Sequence, residues 1–206
     1  MKQERVANAH YWAAKIMALI LFAVAEPTLG LAQGTEDGIL YWHRDSVLRK
    51  EHFRSLNEVD GVSAQSALNT LIHRQDEVVN SLTFAIQAFF VPEESWFLPN
   101  QGEIIDSLVL FHEQIHFDIE ELFARRLKRR IYLECQDMHR HNFPTCRDKI
   151  YSSLEFDKDK MNEQFHFDIL VPDFIKVERF WKEKVRKQLE ELKEFENTEI
   201  RIRTEP

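Results

Sequence analysis

The chain has 206 residues, 35 acidic against 27 basic, and a formal net charge of −8. That acidity argues against nucleic acid or an anionic membrane surface as a partner. The length suits one compact domain with a sizeable core, and no linker-like stretch divides it.

The first residues read as an address rather than as part of a fold. Lys2, Arg5 and Lys15 precede an apolar run from Ile16 to Ala25, and Pro27 and a small-residue stretch ending Gly30-Leu31-Ala32 follow. This pattern predicts a secretory signal over residues 1–32 and a single mature domain over 33–206. The apolar run is too short to span a bilayer, so no stable membrane insertion is expected once the signal is removed. The expected destination is the periplasm or the medium.

From Gly38 to Val91 the sequence is strand-like. Ile39 to Trp42 reads as one strand. In Ser81 to Val91, Leu82, Phe84, Ile86, Ala88 and Phe90 alternate with Thr83, Ala85, Gln87 and Phe89, which predicts another. The stretch from Ala64 to Ile72 stays ambiguous between strand and helix. A small antiparallel sheet is the natural assembly. Pro92, Pro99, Asn100 and Gly102 then break the chain.

Apolar spacing predicts a helix from Ile104 to Tyr132, with Leu108, Ile115, Ile119 and Leu122 on its apolar face. On one flank lie His112, Glu113 and His116, an H-E-x-x-H pattern. Residues four apart sit one turn apart on the same side, so both imidazoles can reach one metal ion, with Glu113 beside them. Two neutral imidazoles and a third ligand can hold Zn²⁺ with one position left for water, whose pKa the metal lowers. Glu113 is then the candidate general base for attack on a peptide carbonyl.

Beyond this helix the chain reads as mostly helical. Cys135 and Cys146 flank a loop with His139, His141 and Pro144. In an oxidising compartment a local disulfide is the expected state, with a Cys/His metal site as the competing reading. Tyr151 to Asp168 reads as less regular. Pro172 introduces a terminal helix whose stripe of Phe174, Val177, Trp181, Val185, Leu189 and Leu192 predicts core, with a solvated Lys/Glu face opposite.

The run His112-Glu113-Gln114-Ile115-His116-Phe117-Asp118-Ile119, continued by Glu121, Ala124, Arg125 and Leu127, resembles the signature of a bacterial family of predicted secreted zinc-dependent proteases, known mainly as a domain of unknown function. Ser95-Trp96 after a Phe-rich strand matches as well. The resemblance implies a zincin-like α+β fold, a small antiparallel sheet packed against the motif helix and C-terminal helices, and protease activity on peptide or protein substrates. Downstream the family has a Tyr-Asp-x-Glu-Thr-x-His-like segment. Here Phe156-Asp157-Lys158-Asp159-Lys160-Met161-Asn162 stands in its place, with Asp159 for Glu and Asn162 for His.

A third metal ligand has to come from elsewhere than the motif helix. Glu120 is one turn further on, but three side chains at this spacing span about 12 Å of helix axis and do not converge easily. Leu122 occupies the position where an extended metzincin pattern needs a ligand. The resemblance implies Asp159. Asp157 and Glu163 are its rivals, the latter because Asn162-Glu163 resembles the pair that supplies the glutamate in thermolysin-like enzymes. Finally, Glu113-Gln-Ile-His-Phe-Asp-Ile119 is echoed by Glu163-Gln-Phe-His-Phe-Asp-Ile169, identical at six of seven positions. His166 is thereby a candidate to stabilise an oxyanion. The competing expectations are a non-catalytic envelope protein that keeps the motif helix as a structural metal or partner-binding scaffold, and a metal-free helix-sheet adaptor.

Overall fold

The computed structural model describes residues 38–56, 63–78, 81–98, 102–196 and 199–205. The expected signal segment, residues 1–32, lies outside them. The described residues form β1 (Leu40–Tyr41), β2 (Ala64–Gln65), β3 (Leu68–Val78), β4 (Ser81–Phe90), β5 (Trp96–Phe97), α1 (Glu103–Glu134), β6 (Met138–His139), α2 (Phe143–Asp168), α3 (Phe174–Glu191) and β7 (Glu199–Glu205). The fold is α+β. Among the described residues no helix is long and apolar enough to cross a membrane.

The alternation in β4 makes it the centre of the sheet. Leu82, Phe84, Ile86, Ala88 and Phe90 are all buried, as a strand with one face on a core requires. Along one edge β4 pairs antiparallel with β3, through an irregularity between Arg74 and Glu77. Its other edge is shared: β7 pairs with Ser81 to Ala85, and β1 with Phe89 and Phe90. β6 adds to β7 in parallel, so the sheet is mixed rather than purely antiparallel. A separate two-stranded ladder joins β2 and β5.

β7 is absent from the sequence-based expectation. Its pattern is nonetheless clean, with Ile200, Ile202 and Thr204 buried and Glu199, Arg201, Arg203 and Glu205 exposed. Register places Ile202 opposite Leu82 and Ile200 opposite Phe84, so both strands feed one apolar face.

α1 packs across that face through Ile115, Ile119, Leu122 and Ile131, all fully buried. Gly102 precedes it at φ +104°, a conformation that favours glycine, and its carbonyl accepts the first turn's Asp106 N–H at 2.9 Å. Glu103 and Asp106 place negative charge at the positive end of the helix dipole, and Lys50 pairs with Asp106.

Contrary to the expectation of irregular chain over 151–168, α2 is one continuous helix with Pro144 in its first turn, where a proline is tolerated. Only Phe143, Ile150, Leu154 and Phe165 are buried on it, too few to give an apolar stripe. Much of what α2 turns toward α1 is polar. Lys158 bridges Glu120 of α1 at 2.9 Å and Glu155 at 2.8 Å. Glu120, buried and also bonded by Thr70 Oγ1 at 2.6 Å, is a structural anchor rather than a surface residue.

Cys135 and Cys146 form a disulfide, with Cα atoms 6.3 Å apart, across the turn between α1 and α2. Both thiols are thus committed to a covalent bond. α3 closes the third side of the core with Trp181, Val185 and Leu189.

Candidate metal centre

Helical spacing puts His112 and His116 on one side of α1, with ring centroids 4.8 Å apart and Nε2 atoms 3.1 Å apart. The turn at the disulfide folds α2 back and delivers His166, whose Nε2 lies 2.9 Å from that of His116. One ring nitrogen from each histidine lies within 4.8 Å of the other two.

The oxygens facing the opposite nitrogens of His112 and His116 favour the Nδ1–H tautomer in those two rings. His116 Nδ1 donates to Asn162 Oδ1 at 3.0 Å, and His112 Nδ1 donates to Glu178 Oε1 of α3 at 3.3 Å. With Nδ1 carrying the proton, both Nε2 atoms present bare lone pairs to one another. Two such lone pairs at 3.1 Å repel unless something positive lies between them. A divalent cation satisfies that arrangement, and a carboxylate or carbonyl behind each ligating imidazole is the usual support for one.

Burial also keeps the rings neutral, as metal ligation requires. It pushes His112 down to about 3, assisted by His166, and holds His116 well below its ordinary value. His166 is lowered for the same reason. Phe165 stacks on His112 at 4.8 Å and meets His116 edge-on at 5.2 Å, forming an apolar wall, with Trp181 behind it at 5.5 Å.

Glu113 lies on α1 next to His112, buried and held by Ser66, whose Oγ donates to Glu113 Oε2 at 2.5 Å. Burial raises its pKa to about 7 although the Ser66 hydrogen bonds pull the other way. A carboxylate that takes and releases protons near neutrality suits general-base work. Glu178 is likewise raised to about 7 by burial, and its Oε2 has no hydrogen-bond partner among the described residues. Sequence reasoning did not single out Glu178, although it stands four residues after Phe174 and three before Trp181, on the predicted stripe. It is buried, because α3 turns this residue inward one turn before Trp181.

The remaining candidates fall elsewhere. Asp159 and Glu163 are exposed on α2 and outside the three-histidine cluster. Asp159 precedes His166 by two turns, about 10 Å along the axis. Asp118 is buried and accepts from the Trp42 indole at 2.9 Å and from Gln114 at 3.0 Å. His139 and His141 stack on each other at 5.5 Å beside the disulfide, outside the cluster. The only sequence signal for His166 was the echo of the motif. Nothing local in the sequence pointed to Ser66, and Asn162 was visible only as a departure from the resembled family.

Comparison with known protein families, curated proteins and solved structures finds no match. The reading of the centre therefore rests on its own geometry and on the residues quoted for the resemblance. Three neutral imidazoles, two of them with a braced second nitrogen, fit Zn²⁺, which takes three protein ligands where a position is kept for water or substrate.

Replacing Glu178 with Ala should weaken metal affinity about 10- to 100-fold by leaving His112 Nδ1–H without its acceptor. Competition with a chromophoric chelator measures this, and an unchanged affinity removes Glu178 from the centre.

Proposed function

We propose that the chain is a zinc-dependent metallopeptidase with a zincin-like arrangement, in which His112, His116 and His166 hold the metal and Glu113 is the general base. The observation that carries this reading is the convergence of three imidazoles at the helix that also carries Glu113, a buried carboxylate held by Ser66. His166 of α2 thereby takes the ligand role first expected of Asp159 or Glu163.

When bound, zinc supplies Lewis acidity, polarising a carbonyl and lowering the pKa of a water. The chain does the rest. Glu113 accepts the proton of the attacking water and passes it to the leaving amine, while Ser66 Oγ–H holds its Oε2 in a fixed orientation. The Phe165 wall and the buried α1 face limit water around these groups.

Peptide as substrate is supported by the sheet. β3 runs beside α1, since Ser66 just before it reaches Glu113 and Thr70 within it reaches Glu120. Among the described strands β3 pairs only with β4, so its outer edge is free to take an extended backbone as a further strand. A cavity of about 420 Å³ with Leu108, Phe111, Ile175 and Glu178 in its wall leaves room for a substrate side chain near His112. Export to the periplasm or medium fits the disulfide and the signal-like N-terminus.

The test is cleavage of a mixed peptide library read by mass spectrometry. Cleavage should stop on chelation, return with added zinc, and be absent in His166→Ala, which should carry no metal. Asp159→Asn and Glu163→Gln should remain active. Cleavage that survives chelation would refute the proposal.

A further inference from the structure

Part of the echo between residues 113–119 and 163–169, the Gln–Asp pair with its Trp, is repeated in three dimensions, although Phe117 is buried and Phe167 exposed. In the first copy Gln114 Nε2 donates to Asp118 Oδ1 at 3.0 Å, and the indole of Trp42 donates to the same oxygen at 2.9 Å. In the second, Gln164 Nε2 donates to Asp168 Oδ1 at 2.6 Å, and the indole of Trp181 donates to Asp168 Oδ2 at 3.0 Å. Each aspartate thus takes one intrahelical Gln and one Trp from another segment, Trp42 far back in the chain and Trp181 on the next helix. Ile115 and Phe165, the one position that differs, are both fully buried.

The two copies also face each other. His116 stands 19 residues before Cys135 and His166 stands 20 after Cys146, so the hairpin pinned by the disulfide sets them at the same level. Their Nε2 atoms meet at 2.9 Å. Equivalent residues touching each other is what an approximate two-fold axis between α1 and α2 requires. The copies part company one residue earlier: His112 in the first, Asn162 in the second. His112 brings its Nε2 into the cluster, whereas Asn162 stops short and accepts from His116 Nδ1 at 3.0 Å.

We infer that the centre is a four-cornered metal site built from two copies of one helical unit, and that Asn162, at the position equivalent to His112 but bonded behind His116, leaves the fourth corner open to an outside oxygen or nitrogen donor. This rests on the metal reading above and deepens it. Position 162 decides whether the metal is open and reactive or closed and structural.

Because the corners are equivalent, they should be exchangeable. Cobalt(II) serves as the probe on the full chain, with folding checked by circular dichroism. His112→Asn should lower cobalt affinity at least about 100-fold, and His112→Asn combined with Asn162→His should restore it to within about tenfold of wild type. Asn162→His alone should bind one cobalt while losing the change in visible spectrum that azide causes in wild type. Asn162→Ala should keep the azide response, with affinity lowered about 10- to 100-fold by loss of the His116 brace.

A folded double variant that stays as weak as His112→Asn overturns the inference, as does an undiminished azide response in Asn162→His. Should Asn162→His alone fail to fold, the exchange in the double variant decides. A wild-type chain that binds no cobalt overturns the metal reading itself, and the inference with it. That outcome differs from a wild type that binds while the exchange fails.

Discussion

Glu113→Gln is expected to lower peptide hydrolysis by about 10²- to 10⁴-fold while leaving the metal content per chain unchanged. Gln is the same size, and its amide oxygen still accepts from Ser66 Oγ, so the surroundings of the site are kept. What is lost is a basic oxygen to receive the proton of the attacking water. Burial already raises the cost of charge on Glu113, pushing its pKa to about 7, so a neutral amide there should not destabilise the fold. Measuring kcat/KM together with bound zinc separates the two effects. Full turnover in Glu113→Gln would end the general-base assignment, and loss of zinc would show that Glu113 supports the ligands instead.

Zinc is expected to raise the melting temperature of the wild-type chain by roughly 10 °C when present at about a thousand times its Kd. Such a concentration stabilises a folded state by about 4 kcal/mol, and a domain of this size gains about 2–4 °C per kcal/mol. His116→Ala should show almost no shift, because His116 Nε2 is the middle atom of the cluster, 3.1 Å from His112 and 2.9 Å from His166. Asp159→Asn, on the exposed face of α2, should retain the full shift. Equal shifts in wild type and His116→Ala would place the zinc elsewhere.

Much of this architecture is legible before any coordinates, for local reasons. The alternation of Leu82 through Phe90, the helical spacing around His112 and His116, and the stripe of Trp181, Val185 and Leu189 each reflect one apolar face seen by one element. α2 was harder because its partner is polar. Lys158 answers Glu120, and Asn162 and His166 answer His116, so its inward side reads as solvent-facing in sequence. Glu178 falls on the predicted stripe by spacing, but a lone charged residue there gives no sign in sequence that it serves a histidine. The third histidine is a tertiary fact, since no spacing rule on α1 reports a residue fifty positions away. Only the copied motif carried that information. β7 is a different case, with a full alternating pattern from Glu199 to Glu205 that follows a long charged helix.

The pairing of β4 with β7 has a consequence for when the site can exist. Ser81 to Ala85 hydrogen-bonds to Glu199 to Arg203, and every residue of the metal cluster, with its braces Asn162 and Glu178, lies in the chain between those strands. The pair is a clasp on a loop of more than a hundred residues, and such long-range closure is entropically costly and slow to form. Until it closes, the apolar face that seats α1 lacks Ile200 and Ile202. Assembly of the three-histidine cluster is therefore coupled to the docking of a strand far along the chain. A partly made or partly unfolded chain carries the motif but not the centre, so any hydrolytic power it has is withheld until folding is complete.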